Sequence, residues 1–420
     1  MADFLQTLIA TIAVGSLYAL LALGYTMVYG VLKFINFAHS DVFVLGAWTA
    51  FTAATFLLTR LGIPAEQSPW WLVIVVLTTT VLVCSTVAFC IERFAYRPLR
   101  KAPRLNVLIT AIGVSLLLQN VGQLPSQKIT DGLNLPFGAT PKSMPQLIED
   151  TVLNDTTVAT GTLSGGSKRG VVKLDQPIDI LPDRSYLLEF TRPSANDGAS
   201  NAAREESLGI AMPAGHYEAG TELATQPKRN AADVEGAKFT LLRSPLVPIR
   251  LIDVLIVGSS ITLMIGLQLL VFRTKMGMAM RALSYNVDNA SLMGINANFV
   301  ISFTFVLGAA LAACAAFLYP LKYPGLNQTA HGIWVLLGLK AFVAAVVGGI
   351  GNIRGAVLGG FLIAGIEFFG TLYGSKLTDA LGLGPSLGTG LRDVYVFVLL
   401  IVVLLVRPSG LLGTPVREKV

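Results

Sequence analysis

Polar side chains set inside apolar runs are the residues of this sequence that could do chemistry. An ionised group at the centre of a membrane span costs about 2.5–3.5 kcal/mol even on an insertion scale, so each one needs a reason. Asn36, His39, Ser40 and Asp41 stand together in INFAHSD at the mouth of one run, Gln119 and Asn120 close another, and Lys340 and Glu367 interrupt two more. All are candidates for lining a passage or bracing helices. His39 and Asp41 equally suit an interfacial helix start, with Asp41 as a cap near headgroups. Glu367 suits an acid that faces the bundle and pairs with a basic group, Lys340 first, either as a structural ion pair or as a substrate contact. One amide such as Asn120 can also pin two helices together. Covalent and metal chemistry have little to work with. His39, His216 and His331 are far apart, no nucleophile and base recur at useful spacing, and Cys84, Cys90 and Cys314 all lie inside apolar runs, which suggests neither a disulfide framework nor a metal site.

The elements that must hold these groups are membrane helices. Over 420 residues, 53% are hydrophobic and 13% charged, and the mean hydropathy is +0.65. That is more apolar surface than a soluble core can hide. A span needs ~20 predominantly apolar residues, and about nine candidates satisfy this: residues 4 to 32, 41 to 59, 70 to 91, 105 to 124, 251 to 272, 299 to 320, 333 to 350, 355 to 374 and 391 to 406. The seventh and eighth carry Lys340 and Glu367 and could be broken or re-entrant. The opening stretch has no basic leader and exceeds a signal-peptide core, so it reads as a retained first span. The net charge of +6 reflects basic residues beside apolar runs, which is the pattern of membrane orientation rather than of nucleic-acid binding. Arg93, Arg97, Arg100, Lys101 and Arg104, against the single acid Glu92, place the loop after the third span in the cytoplasm. Lys33, the 273–298 loop and the tail with Arg407, Arg417 and Lys419 follow to the same side, leaving the N-terminus outside.

Residues 273–298, RTKMGMAMRALSYNVDNASLMGINAN, interrupt two spans with a polar stretch. Asn286 can cap a short helix, Asp288 then lies near its positive end, and Gly294 can end it in the left-handed region. The residues by themselves allow either a docking helix or a solvated connector. Residues 125–248 turn polar and rich in Pro, Gly and Asn, with alternating pieces such as VVKLDQPIDI, SYLLEF and AKFTLL, and predict a small strand-rich extracytoplasmic module. ASNAAREES within it reads as a mobile loop. Leu163, Ser164, Gly165 and Gly166 spell LSGG, as in the signature of ABC-type ATPases. No phosphate loop of the form GxxxxGK(S/T) occurs anywhere in the chain, so a hairpin turn is the better reading. Gly348 to Gly360, GGIGNIRGAVLGG, lacks the strand and the ribose-binding acid of a dinucleotide fingerprint, and its glycines suit close helix approach.

Five strings in order, INFAHSDVFVLGAW, ERFAYRPLRKAPRLNVLITAIGVSLLLQN, TKMGMAMRALSYNVDNASLMGIN, KAFVAAVVGGIGNIRGAVLGG and RPSGLLGTP, resemble the permease subunits of branched-chain amino acid ABC importers, the H-type more than the M-type. The resemblance covers roughly residues 4 to 124 and 248 to 417. It implies an all-α polytopic fold with the insertion between two membrane halves, 1–124 and 249–420. It also implies a second, M-type permease, two cytoplasmic ATPases that bind ATP and Mg, an extracytoplasmic binding protein, and a place in the bacterial inner membrane. No cofactor belongs to this chain itself, and no nucleic acid is a partner. The 273–298 loop matches the family's coupling segment, so Arg281, Ala282, Asn289, Ala290, Leu292 and Gly294 are carried over as ATPase-docking positions. Cargo stays open between leucine, isoleucine and valine on one side and urea or short amides on the other. A secondary transporter or channel using Glu367 and Lys340 as a relay is the ATP-independent alternative. The insertion departs from the family, whose members generally have a shorter external connection there.

Overall fold

The computed structural model describes residues 2–64, 68–100, 102–122, 142–148, 151–154, 156–165, 171–174, 178–180, 186–191, 205–209, 215–218, 222–224, 238–243, 247–326, 333–382 and 384–413. The chain divides into two compact units, Met1–Gln6 with Thr151–Arg250, and Thr7–Asp150 with Leu251–Val420.

The second unit is helical. Its elements are α1 (Ala2–Leu32), α2 (His39–Leu61), α3 (Trp70–Cys90), α4 (Arg104–Gly122), α5 (Leu251–Arg273), α6 (Lys275–Tyr285), α7 (Val287–Leu292), α8 (Ala297–Lys322), α9 (Ile333–Gly348), α10 (Ile353–Ala380), α11 (Pro385–Gly390) and α12 (Arg392–Val406). A π-helical turn, Ile91–Tyr96, and a 3₁₀ turn, Arg97–Leu99, continue α3. A short antiparallel pair, β1 (Lys142–Ser143) with β10 (Gly325–Leu326), completes this unit among the described residues.

Among the described residues, six helices are long and apolar enough to cross a membrane: Ala2–Leu32, His39–Leu61, Trp70–Leu99, Leu251–Arg273, Ala297–Lys322 and Ile353–Ala380. Of the nine expected segments, six reach spanning length. Leu105–Val121 and Leu336–Gly348 are apolar but shorter, and α12 has 15 residues, which at 1.5 Å per residue extends about 22 Å against a ~30 Å hydrocarbon core.

Helix α1 is buried nearly all round from Ala13 to Val28. An all-apolar helix can be enclosed in this way, and small residues let its neighbours close on it. A side chain at Gly360 would run into the backbone of Ala19 at 2.6 Å, one at Gly15 into Phe361 at 2.8 Å, and one at Gly24 into His39. The last contact shows the start of α2 packed against α1. Helix α2 begins beside Gly24 and Tyr25, whose ring meets that of His39 at 4.6 Å, eight residues before the end of α1. That places His39 about 12 Å up the helix from Leu32. Residues 33–38 therefore turn back into the bundle, and Ser40 packs on the backbone of Gly338 in α9.

The glycine-rich string 348–360 forms the α9–α10 hairpin. Gly349 and Gly351 take φ of +109° and +94°, and Asn352 caps α10 by accepting from the amides of Arg354 and Gly355 at 3.1 and 3.3 Å. Added side chains at Gly348 or Gly359 would collide with the carbonyls of Gly355 and Ala344. The segment after α12 closes over this hairpin: Leu411 and Leu412 donate backbone hydrogen bonds to Val347 and Gly348 at 2.8 and 3.0 Å, and Asn352 Nδ2 donates to the Leu412 carbonyl at 2.8 Å.

The first unit carries strands β2 (Thr156–Gly165), β3 (Val171–Leu174), β4 (Ile178–Ile180), β5 (Tyr186–Thr191), β6 (Glu205–Gly209), β7 (Gly215–Tyr217), β8 (Glu222–Ala224) and β9 (Lys238–Arg243). Six form an antiparallel sheet in the order β6-β5-β9-β2-β3-β8, and β4 pairs with β7. Leu163, Ser164 and Gly165 are strand residues paired with β3 rather than a turn; Gly166 lies outside the described residues. Of ASNAAREES, Glu205, Glu206 and Ser207 belong to β6, and the remainder is outside them, as is His331.

Gly359→Val should destabilise the purified protein by about 1–3 kcal/mol, the usual cost of forcing extra methyl groups into a closed contact. Gly258→Ala, where an added methyl meets nothing within 4 Å, should be neutral. Thermal unfolding in detergent compares the two.

Candidate functional site

Glu367 is fully buried, with 0% of its surface exposed. It sits in α10 facing α1, and three donors meet its carboxylate: Tyr18 Oη at 2.8 Å on one oxygen, and Lys340 Nζ at 2.8 Å and Arg392 Nε at 2.5 Å on the other. Lys340 also reaches Asp393 at 2.5 Å, and the Arg392 guanidinium lies over the Phe368 ring at 5.0 Å. Two acids and two bases therefore balance, and they join α1, α9, α10 and α12. Lys340 and Glu367 are brought together. Tyr18, Arg392 and Asp393 were not foreseen: a tyrosine in an apolar run gives no polar signal, and Arg392 and Asp393 read as the border of a span.

The second polar group lies at the start of α2. Asn36 Oδ1 accepts from Tyr96 Oη at 2.7 Å. Asp41 is 3% exposed and accepts from Gln119 Nε2 at 2.9 Å through Oδ1, while its Oδ2 and His39 Nε2 have no hydrogen-bond partner. Each buried polar atom left so costs roughly 1–3 kcal/mol. Asn120 is not part of this group. It is exposed, and its Nδ2 donates to the Leu116 carbonyl one turn back at 2.7 Å. Helical geometry turns Gln119, its neighbour, toward α2.

The 273–298 loop holds two helices rather than one. Thr274 caps α6 by accepting from Gly277 N at 3.1 Å, and a side chain at Gly277 would strike the carbonyls of Leu270 and Val271, so α6 folds tightly back on α5. Asn286 caps α7 by accepting from Asn289 N at 2.9 Å, Asp288 lies in its first turn, and Gly294 takes φ +85° after it. Met280, Leu283 and Ala290 face inward, Ala290 at 5% exposure, and Ala282 is half-buried. Ala290 thus packs the loop on its own bundle, and Ala282 is partly accessible. Arg281, Asn289 and Gly294 are exposed, with Arg281 over the Phe272 ring at 5.4 Å. The apolar tip consists of Tyr285, Leu292 and Met293, exposed by 95%, 85% and 84%. Leu292 was singled out from the sequence; Tyr285 and Met293 were not, because apolar residues beside a span look like part of it.

One further cluster anchors the end of this loop. Glu92, fully buried, pairs with Arg100 and accepts from Ser302 Oγ at 2.5 Å, and Arg100 Nη1 donates to Asn298 Oδ1 at 2.8 Å. In the sequence Glu92 is only the lone acid of a basic loop. Among the described residues no group of three His, Cys, Asp or Glu could hold a metal ion.

Comparison with known proteins agrees with this architecture. The family described as "Branched-chain amino acid transport system / permease component" matches residues 7–147 and 216–406, leaving 148–215 unmatched. The high-affinity branched-chain amino acid transport system permease protein BraD of Pseudomonas aeruginosa is 33% identical over 417 residues, covering 99% of this chain and 98% of that protein. The permease proteins LivH of Salmonella typhimurium and of Escherichia coli K12, described in the same words, are 31% and 30% identical over 417 residues, again covering 99% of this chain and 98% of each. No solved structure gives a significant match. This chain belongs to the family of permease components of branched-chain amino acid transport systems.

Proposed function

We propose that this chain is a permease subunit of an ATP-binding-cassette importer and passes leucine, isoleucine and valine across the bacterial inner membrane. The observation that carries the reading is the match, along nearly the whole chain, to relatives named as branched-chain amino acid permeases. In this reading the chain is not itself an enzyme. It pairs with a second permease, receives cargo from an extracytoplasmic binding protein, and is driven by two ATPases that bind ATP and Mg. The N-terminus lies outside and the tail inside, as the basic residues of the 93–104 loop require. The three shorter helices complete the crossings with help from neighbouring protein, and residues 125–248 form an extracytoplasmic module inserted between the two membrane halves.

ATPase docking falls on the 273–298 loop. Its exposed apolar tip supports this, because Tyr285, Leu292 and Met293 are uncovered by the described residues. So does its anchorage, because the loop is fixed to α5 through Gly277 and leads into α8 through the Asn296 cap, while the Arg100–Asn298 bond ties the start of α8 to the segment after α3. A push on the tip therefore moves both helices as solid bodies.

The complete importer in proteoliposomes should take up leucine only with ATP inside and binding protein outside. Uptake of urea in place of leucine would overturn the cargo assignment. Tyr285→Ala with Leu292→Ala should reduce uptake and transport-coupled hydrolysis about tenfold or more, as loss of central apolar anchors does, with membrane insertion intact. Unchanged coupling would move docking elsewhere. Glu367→Gln should destabilise the permease by about 3–5 kcal/mol, since it leaves buried cations uncompensated. Lys340→Met in the same chain should return part of that loss, as read by thermal unfolding of the single and double variants.

A further inference from the structure

Four acids are buried among the described residues: Asp41, Glu92, Asp253 and Glu367. Three meet a basic side chain, Glu92 through Arg100, Asp253 through Lys322, and Glu367 through Lys340 and Arg392. Asp41 meets none. Its carboxylate faces neutral groups, the Ser115 hydroxyl and the Gln119 amide that donates to Oδ1, and its Oδ2 has no hydrogen-bond partner. The positive end of α2 does not by itself account for the difference, because Asp253 also sits in the first turn of its helix and still has Lys322.

Two more buried atoms without partners continue from Asp41 along α2, namely Trp48 Nε1 and Thr52 Oγ1. They follow Asp41 by seven and eleven residues, which at 3.6 residues per turn puts both on its face of the helix, each within about 20° of Asp41 and about 40° from each other. Toward the far end of this face the Lys142 ammonium lies 5.8 Å from the centres of the Trp48 and Phe51 rings. The face thus runs from a carboxylate lacking a cation to an indole N–H and a hydroxyl, both able to donate.

We propose that Asp41 is the subsite for the ammonium group of a free α-amino acid, with Trp48 and Thr52 as later stations for its carboxylate. The proposal rests on the reading of the chain as an amino acid permease and names the side chain that would recognise the charged end of the cargo. An ammonium supplies the countercharge that Asp41 lacks. Trp48 is about 10 Å of helix rise away, so the two ends of the cargo are met in succession and not together. Helix α2 is closed here against Gly24 and Gly338, so the subsite opens when α2 parts from α1 and α9.

Thermal stabilisation of the purified complete importer, without binding protein, tests this with three probes: leucine, 3-methylbutylamine and 4-methylpentanoate. Wild type should be stabilised by leucine and by the amine, and not by the acid. Asp41→Asn, which keeps an oxygen for Gln119, should raise the half-saturating concentration of both about tenfold or more, as loss of one partner of a buried charge pair does; Asp41→Glu should fall between. An unchanged response of Asp41→Asn to the amine overturns the proposal, as does a wild type that prefers 4-methylpentanoate or responds to neither amine nor leucine. Should Asp41→Asn fail to assemble, the preference of the wild type among the three probes decides alone. A wild type that transports no leucine, yet loses its response to the amine in Asp41→Asn, sinks the cargo assignment and leaves the ammonium subsite standing.

Discussion

A carboxylate taken out of water has to be met by a cation or by a row of donors, and the places where this chain meets that demand decide how its helices sit. Glu367 draws Tyr18, Lys340 and Arg392 to one point, which fixes α1, α9 and α12 around α10. Glu92 draws Arg100 and Ser302 together, which fixes the end of α3 to the start of α8. Asp253 and Lys322 fasten the other end of α8 to α5. Helix α8 is thereby pinned at both ends, and it behaves as a strut whose position the rest of the bundle must follow.

Between its pins α8 is held by contact rather than by charge. Its middle is small, with Gly308, Ala309, Ala312, Ala313, Ala315 and Ala316, and a side chain on Gly46 of α2 would meet Ala316 at 2.7 Å. Where lipid tails are as apolar as the side chains, helices gain little by hiding from the solvent and much by fitting closely. Gly308 and Gly24 show the limit of this: the Gly24 carbonyl lies 3.3 Å from where a Cβ of Gly308 would stand. Ion pairs set which helices meet, and small residues set how near they come.

What could be read from the sequence follows the same division. Apolar runs, the pairing of Lys340 with Glu367 and the caps at Asn286 and Gly294 are local or chemically forced, and all are legible in residue order. The depth of INFAHSD was not, because it depends on residues 33–38 turning back beside Tyr25, and that is set by Gly24 and Gly338 admitting His39 and Ser40 at close range. The choice of Gln119 over Asn120 depends on helix phase, which the two adjacent amides cannot reveal. The inward turn of Ala290 has the same origin: alanine is small enough to be either a docking surface or a packing contact, and only the fold chooses.

The strut also explains how the loop and the start of α2 can act together across the bundle. Force on the 285–293 tip enters α8 at its pinned end, through the Asn296 cap, where the Arg100–Asn298 bond ties α8 to the segment after α3. Helix α8 touches α1 at Gly24 and α2 at Gly46, on either side of the turn that carries His39 and Asp41. A close-packed contact cannot be compressed, so a shift of α8 has to displace α2 or α1. Buried polar atoms without partners stand at Thr11, Thr26, Ser260 and Arg100 Nε, and others line this boundary at His39, Asp41 and Trp48. Separation there removes the cost of those unmet groups as soon as water or cargo enters, whereas separation at Glu367 or Glu92 would break satisfied charges. On the proposed reading, opening along the face of α2 relieves unmet groups and breaks no ion pair of Asp41.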